Sequence, residues 1–449
     1  MHYNLTSNRG CNARHATRVA SPVCPAPSSG RIRDRQIPGE VNVVICGFIK
    51  WDQQPGAKRC GRWRGIMAQV NKSAECVTIA AVGDVSSGHK PPESAFEYVT
   101  DALRLAGIRF AQVERLYTER GTYQLASGAL KNEVRQPPAT AAIFKRVPFS
   151  VLSLASNHTG DWGPEAVEDT VNVFRDIGIP TVGAGCDIAQ ARNHAIVDHN
   201  GCRVAFLGYC SVLLPQFWAT EERAGAAPMR AHTFYEPYEY QPGAPPRIVT
   251  VPHEDDLQAL VDDVRRAKAA ADLVVVSFHW GLHYTPMPQK YQPVVAHAAI
   301  DAGACAILGH HPHQQQGVEI YNGAPIFYAL GNFAFHRRGG GHARCAPNGE
   351  PFHKDVYSTE LEPGQYYDYR RHWNEGGIAY INLDRTGAKE VTYLPTLMNE
   401  AGQPQILAEN HPQFETTRRY FEWLGSGIKG GVTTVPVKNG RYVFYERKI

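Results

Sequence analysis

From residue 77 onward, short runs of consecutive apolar residues alternate with stretches in which apolar and polar positions mix at helical spacing. Residues 77–82 and 273–278 are largely apolar runs of strand length, and 108–113, 149–154 and 203–209 are also expected to form strands. Among the intervening stretches, 94–106 reads as an amphipathic helix. Helices are also expected over 164–177, 254–271 and 292–302, and a short one over 138–146 with proline near its start. Strands recur at 317–321, 326–330, 377–383 and 390–394. This alternation predicts an α/β architecture. A tail over 401–449 is expected to pack on the main domain through a helix over 414–424 and a strand over 441–445.

Residues 1–72 break the pattern. They are rich in Arg, Pro, Ser and Gly, with no sustained period of 2 or 3.6. They read as a poorly structured extension, or as sequence upstream of a true start at Met67. The main domain is then expected over 73–400, with a polar loop or flap at 115–135. Two long irregular insertions interrupt it, 211–253 and 336–375. The first carries Phe217, Trp218, Phe234, Tyr235, Tyr238 and Tyr240, and the second Tyr357, Tyr366, Tyr367, Tyr369 and Trp373. Loops of this length and aromatic content are ordered lids over a site or are anchored to the core.

Bulk properties exclude some classes of function. The 449 residues are 43% hydrophobic, enough for a sizeable core. The 46 basic side chains nearly balance the 43 acidic ones, which argues against nucleic acid as the partner. None of the 10 cysteines forms a C-x-x-C pair, so buried free thiols in a reducing compartment are expected, and with them a cytoplasmic location. No stretch approaches the ~20 apolar residues of a membrane span. The apolar run at 43–49 is too short for a signal peptide.

Four segments at predicted strand ends carry chemistry. The densest is Gly309-His310-His311-Pro312-His313, which follows the apolar stretch Ala304-Cys305-Ala306-Ile307-Leu308. The others are Gly83-Asp84, Asn157-His158-Thr159-Gly160-Asp161, and His279-Trp280-Gly281 with His283 beyond it. Alternation along an extended chain sends His311 and His313 to one side, making them the best ligand pair. Asn157 offers a carbonyl oxygen to a metal. His158 is a ligand or a general acid, and Asp161 orients it or caps the following helix. His283, His310 and Asn332 read as substrate-facing or supporting groups. This mix of oxygen and imidazole donors suits one or two divalent ions of Mn, Zn, Fe or Co better than Ca or Mg. Two ions ~3.5–4 Å apart clamp a substrate oxygen and generate hydroxide near neutral pH.

These segments, in this order and with Leu330-Gly331-Asn332-Phe333, resemble the CapA family over roughly residues 77–335. That family is the poly-gamma-glutamate capsule synthesis branch of the calcineurin-like metallophosphoesterases. The resemblance implies a four-layer αββα sandwich of the metallophosphoesterase type, with long loop insertions and a metal site at the strand ends. It implies Asp84, Asn157, His279, His311 and His313 as metal ligands, and Glu114 of Gln112-Val113-Glu114 as a bridging or second carboxylate. His158 becomes the acid or substrate-facing histidine. Three departures stand out. Ser86 occupies the place of the histidine in the usual Asp-x-His, and His89 is wrongly spaced to replace it. Gln112 replaces an asparagine, and the membrane anchor common in capsule-synthesis members is not seen.

The expected function is metal-dependent hydrolysis of an ester, amide or phosphoester in a small molecule or peptide. Metal-bound hydroxide attacks, and His158 protonates the leaving group. Two alternatives remain open: epimerisation by proton abstraction at a peptide α-carbon, and a non-enzymatic accessory role in poly-gamma-glutamate or capsule synthesis.

Overall fold

The computed structural model describes residues 77–125, 135–237, 246–336 and 372–448, with short pieces at 239, 241, 243, 360–362 and 365–366. The expected extension over 1–72, part of the 115–135 flap and most of the 336–375 insertion lie outside the described residues.

The apolar runs form the centres of two sheets. In chain order, β1 (Val77–Ser86), β2 (Ile108–Val113), β3 (Val151–Ser153) and β4 (Thr181–Val182) pair in parallel. The second sheet follows, with β5 (Ala195–His199), β6 (Cys202–Cys210), β7 (Leu273–His279), β8 (Ala306–His310), β9 (Val318–Tyr321) and β10 (Ala324–Phe327). The chain then returns to the first sheet. There β11 (Asn332–Phe335) pairs with β1, followed by β12 (Glu375–Asp384), β13 (Gly387–Met398), β14 (Pro404–Ile406), β15 (Val437–Lys438) and β16 (Arg441–Glu446). The first sheet has the order β15-β16-β13-β12-β1-β2-β3-β4, with β11 on β1 and β14 on β13. The second has the order β9-β10-β8-β7-β6-β5.

Successive side chains on a strand point to opposite faces, so a strand covered on both sides reads as one continuous apolar run. Ile79 and Ala81 of β1, with Phe110 of β2, face the other sheet and meet Phe206, Val275 and Leu308. The Phe110 and Phe206 rings stack at 5.9 Å. Ala80, Val82, Ala111 and Leu152 point outward under Leu103, Phe144 and the helix α1 (Pro164–Asp176). On the far side, Leu207, Val274 and Val276 lie under α2 (Glu254–Ala270) and α3 (Tyr291–Asp301). The fold is therefore the four-layer αββα sandwich. The helix α4 (Pro412–Ser426) closes the space between the sheets, burying Phe414, Phe421 and Leu424 against Tyr393, Tyr442 and Phe444.

Three local expectations need correction. The single helix over 94–106 is a 3-10 turn, Pro92–Phe96, and one α-turn, Thr100–Arg104. Val99 leaves helical geometry (φ −126°, ψ −5°), and it is followed by a second β-branched residue, Thr100. The burial of Phe96, Val99 and Leu103 nonetheless keeps the apolar face intact. The 211–253 stretch is not irregular throughout: Ala231–Pro237 and Pro246–Pro252 pair as an antiparallel ribbon. Pro237, Pro246 and Pro252 sit at the ends of these strands, where a missing N–H is tolerated, and they disguised the ribbon. The aromatics of the 211–253 stretch divide, since Phe217 and Trp218 are buried whereas Phe234 and Tyr235 are exposed. Finally, Leu116–Tyr117 pairs in parallel with Arg135–Gln136 across the expected flap.

Among the described cysteines Cys202 and Cys210 are buried, and burial pushes the Cys210 thiol up to about 12. Among the described residues, no helix is long and apolar enough to cross a membrane.

Candidate metal centre

Strands of both sheets bring their carboxyl ends together, the usual place for ligands in open α/β sheets. Asp84 lies at an irregularity of β1, where its pairing with both β2 and β11 shifts register. Such bulges re-aim a side chain. Asp84 pairs with Gln112 on one side and Asn332 on the other, and its N–H donates to Gly331 O at 2.9 Å. Glu114 follows β2, with its N–H donating to Val85 O at 3.0 Å. In the second sheet His279 and His310 are register partners at the ends of β7 and β8.

His279 Nε2 is the focus of the cluster. It lies 2.9 Å from Asn157 Oδ1, 3.2 Å from His311 Nδ1 and 3.6 Å from Glu114 Oε1. Donor atoms that share one ion at ~2.0–2.2 Å stand roughly 3–3.5 Å apart, so this spacing fits a common cation. Asp84, Glu114 and His279 offer donor atoms all within 4.8 Å of one another. Asp84 Oδ1 and His279 Nδ1 are buried with no hydrogen-bond partner among the described residues. Two buried carboxylates beside such atoms favour a bound positive charge. Burial, and next the His310 imidazole, drives His279 well below its usual range. Burial and next His283 do the same to His311. Neutral imidazole is the form that ligates metal. The donor set is compatible with a divalent metal ion.

His311 and His313 do not reach the cluster by strand alternation. The strand ends at His310, and both residues take left-handed backbone, φ +98° and +59°. Such geometry in non-glycine residues costs about 1–3 kcal/mol each and persists where surrounding contacts hold it. Here His311 N–H donates to Asp84 Oδ2 at 3.2 Å, and Tyr284 N–H donates to Pro312 O at 2.9 Å. His313 Nδ1 lies 2.9 Å from Asn332 Oδ1 and 3.9 Å from Asp84 Oδ2. Asn332 Nδ2–H donates to Trp373 O at 3.0 Å, and the Trp373 ring packs on His313 at 4.8 Å. His310 is fully buried, and its Nδ1 lies 3.5 Å from Asp84 Oδ1. His283 is half-buried and its ring lies 4.0 Å from that of His311.

His158 and Asp161 form a dyad at the rim. Asp161 is fully buried, and its Oδ2 lies 2.7 Å from His158 Nδ1, whereas the His158 side chain keeps 23% of its surface exposed. The turn is held by Thr159, whose hydroxyl donates to Leu154 O at 2.8 Å.

The departures from the usual motifs have visible consequences. Gln112 Nε2–H donates to Ala155 O at 2.7 Å, which holds the segment leading to Asn157. His89 stays out of the cluster and bonds Gly402 O at 3.1 Å. The Ser86 hydroxyl accepts from Arg115 Nε at 2.6 Å. Arg115 and Trp373 were not foreseen as site residues. A charge at the end of a buried strand, directly after Glu114, was the available signal for Arg115. Trp373 was legible only as one of the aromatics of the 336–375 insertion, lid or anchor, because its partner His313 is distant in sequence.

The chain is similar to the capsule biosynthesis protein CapA of Bacillus anthracis, 30% identical over 279 residues that cover 59% of this chain and 61% of that protein. It is similar to the PGA biosynthesis protein CapA of Bacillus subtilis (strain 168), 30% identical over 272 residues that cover 59% of this chain and 64% of that protein. The match spans about three-fifths of the length of these relatives. Among solved structures, the NAD nucleotidase NadN of Haemophilus influenzae superposes with a TM-score of 0.35 at 13% identity, covering 79% of this chain and 64% of that one. The model of the bacterial capsule synthesis protein PGA_cap family matches residues 78–337, more than half of the chain, and the chain belongs to that family.

Proposed function

We propose that the chain is a metal-dependent hydrolase acting on an ester, amide or phosphoester of a small molecule or peptide. Asp84, Glu114, Asn157, His279, His311 and His313 are its proposed metal ligands. A divalent ion of Mn, Zn, Fe or Co held there supplies Lewis acidity and acidifies water toward neutral pH. The observation that carries the reading is the His158–Asp161 dyad, 2.7 Å apart, at the rim of the metal-fitting cluster. Asp161 is buried, so as a carboxylate it accepts the Nδ1–H and fixes the ring's tautomer. The partly exposed imidazole then presents Nε2 as the atom that hands a proton to the leaving group. Asn332 and Trp373 hold His313, and the His311 N–H donates to Asp84, so these proposed ligands are held before substrate arrives.

A screen with Mn, Zn and Co over phosphoesters, lactones and γ-glutamyl amides in 18O-water tests this. Oxygen-18 in a product establishes hydrolysis. Solvent deuterium washed into an intact product, without cleavage, gives the site to epimerisation instead. One observation favours a second, non-enzymatic reading: Ser86 lacks the usual imidazole, and the similar CapA proteins are named for biosynthesis. On that reading the protein retains metal and turns over nothing in the screen.

A further inference from the structure

The antiparallel ribbon of Ala231–Pro237 and Pro246–Pro252 stands apart from both large sheets, and among the described residues no third strand pairs with it. It leaves the second sheet at the end that carries the metal centre: Met229 N–H donates to Cys210 O at 2.8 Å, and Cys210 is the register partner of His279. Two strands alone are marginally stable in water and present unpaired N–H and C=O groups along their edges. The two edges are not alike. The strand Pro246–Pro252 has a proline at each end, and its Thr250 hydroxyl accepts from the Tyr291 N–H of α3 at 3.2 Å. The strand Ala231–Pro237 has neither a lysine nor an internal proline, and every residue from His232 to Pro237 is exposed. Phe234 is 52% exposed and Tyr235 70%, with Ile248 and Val251 exposed on the other strand. An edge of this kind is a template for a further strand.

The sequence of this edge fits its own copy. Outward-facing groups alternate along an antiparallel edge, so a strand pairs with its two-fold mate about a residue and not between two. Turning on Phe234 gives the full overlap of the strand and sets Phe234 against Phe234, His232 against Glu236 and Thr233 against Tyr235. The register inside the ribbon then extends each row across four strands. On one face the middle row reads Val249, Phe234, Phe234, Val249, apolar throughout. The rows beside it read Arg247, Glu236, His232, Val251, so the imidazole of one copy meets the carboxylate of the other. Arg247 Nε already lies 3.7 Å from Glu236 Oε2 within one chain. On the opposite face Ile248 and Tyr235 continue into Thr233 and Thr250. Directly opposed aromatic, β-branched and opposite-charge pairs each stabilise a sheet, and no like charges meet in these rows. We infer that the ribbon is a dimerisation arm, through which two copies of this chain join edge to edge along Ala231–Pro237 into one four-stranded sheet about a two-fold axis. The inference is independent of the metal-dependent reading above.

The test uses the whole chain. Sedimentation velocity over a series of protein concentrations is expected to show a dimer that dissociates on dilution. Phe234→Lys sets two ammonium groups against each other at the axis and should raise the dissociation constant at least ~10-fold. Opposed residues at that axis have Cα atoms ~4.5–5.5 Å apart, within disulfide reach, whereas the two copies of position 235 lie diagonally, beyond the ~7 Å limit. Under mild oxidation Phe234→Cys should therefore give a dimer whose 234–234 disulfide is found by peptide mass spectrometry. Tyr235→Cys should give no 235–235 disulfide. A wild-type chain that stays monomeric at every concentration overturns the inference and leaves the arm to a partner of another kind. So does a dimer that Phe234→Lys leaves equally tight, since its contact then lies elsewhere. If Phe234→Lys does not fold, the cysteine variants decide: absence of the 234–234 link, or equal linkage through 235, also overturns the inference. Each of these outcomes leaves the hydrolase reading as it stands.

Discussion

Asn157 Oδ1 lies 2.9 Å from His279 Nε2, although 122 positions separate the two residues, one following β3 of the first sheet and the other ending β7 of the second. An amide oxygen and a buried imidazole at that distance, with a second imidazole and a carboxylate at the same nitrogen, are arranged as ligands are. Asn157→Ala, His279→Ala, His311→Ala and His313→Ala are each expected to lose bound metal and activity together. Asn332→Ala leaves the ligands but frees the His313 ring, and weakens metal binding by about 10–100-fold. Metal titration of the purified variants checks this, and full metal content in the four ligand variants rejects the assignment.

The dyad makes a separable prediction. Asp161→Asn preserves shape but no longer forces a proton onto His158 Nδ1, so the ring is free to take the wrong tautomer. Metal content should hold while turnover falls by about 10²–10⁴, the usual contribution of general acid–base catalysis. His158→Ala should lose a similar factor. A wild-type rate in either variant on the best substrate removes the dyad from the mechanism.

Much of this was legible before any coordinates. The strand at 108–113 has the expected bounds, Ile108–Val113, and buries Ile108, Phe110, Ala111 and Val113. The six residues proposed as ligands were read from motifs, and five lie at strand exits or in the turns that follow them. What could not be read was how His311 and His313 reach the cluster. Extended alternation was the wrong cause, because left-handed backbone at non-glycine residues depends on distant partners such as Asp84. The bonds of Arg115 to Ser86 and His336 were hidden for the same reason, since both partners lie on other segments.

Gly83 links the fold to the site. A Cβ at this position would lie 1.8 Å from Gly331 O, the atom that accepts the Asp84 N–H. Backbone cannot yield as a side chain does, so Gly83→Ala must push β1 away from the segment that carries Asn332. A loss of about 1–3 kcal/mol or more is expected, as for other overpacked cores. Metal affinity should fall with it, since Asn332 orients His313. Urea unfolding and metal titration of one variant test both halves, and an unchanged midpoint with normal metal affinity contradicts the packing described.

His89 gives a pH signature away from the cluster. Burial lowers it from the usual 6.5 to about 4, with smaller contributions from the positive charges of His336 and Arg115. The unfolded chain therefore takes up this proton near pH 6.5, and the folded chain only near pH 4. Stability from the neutral ring is complete above pH 6.5 and is lost as pH falls toward 4, with no further loss below that. The full shift corresponds to about 3 kcal/mol. His89→Gln keeps a donor for Gly402 O and cannot titrate. Between pH 7 and pH 4.5 the variant should lose about 2–3 kcal/mol less than the parent in urea unfolding. Other buried histidines, His279 and His311 among them, titrate in both proteins and cancel in the difference. Parallel stability curves for the two proteins across that range would show that His89 is not held neutral by burial.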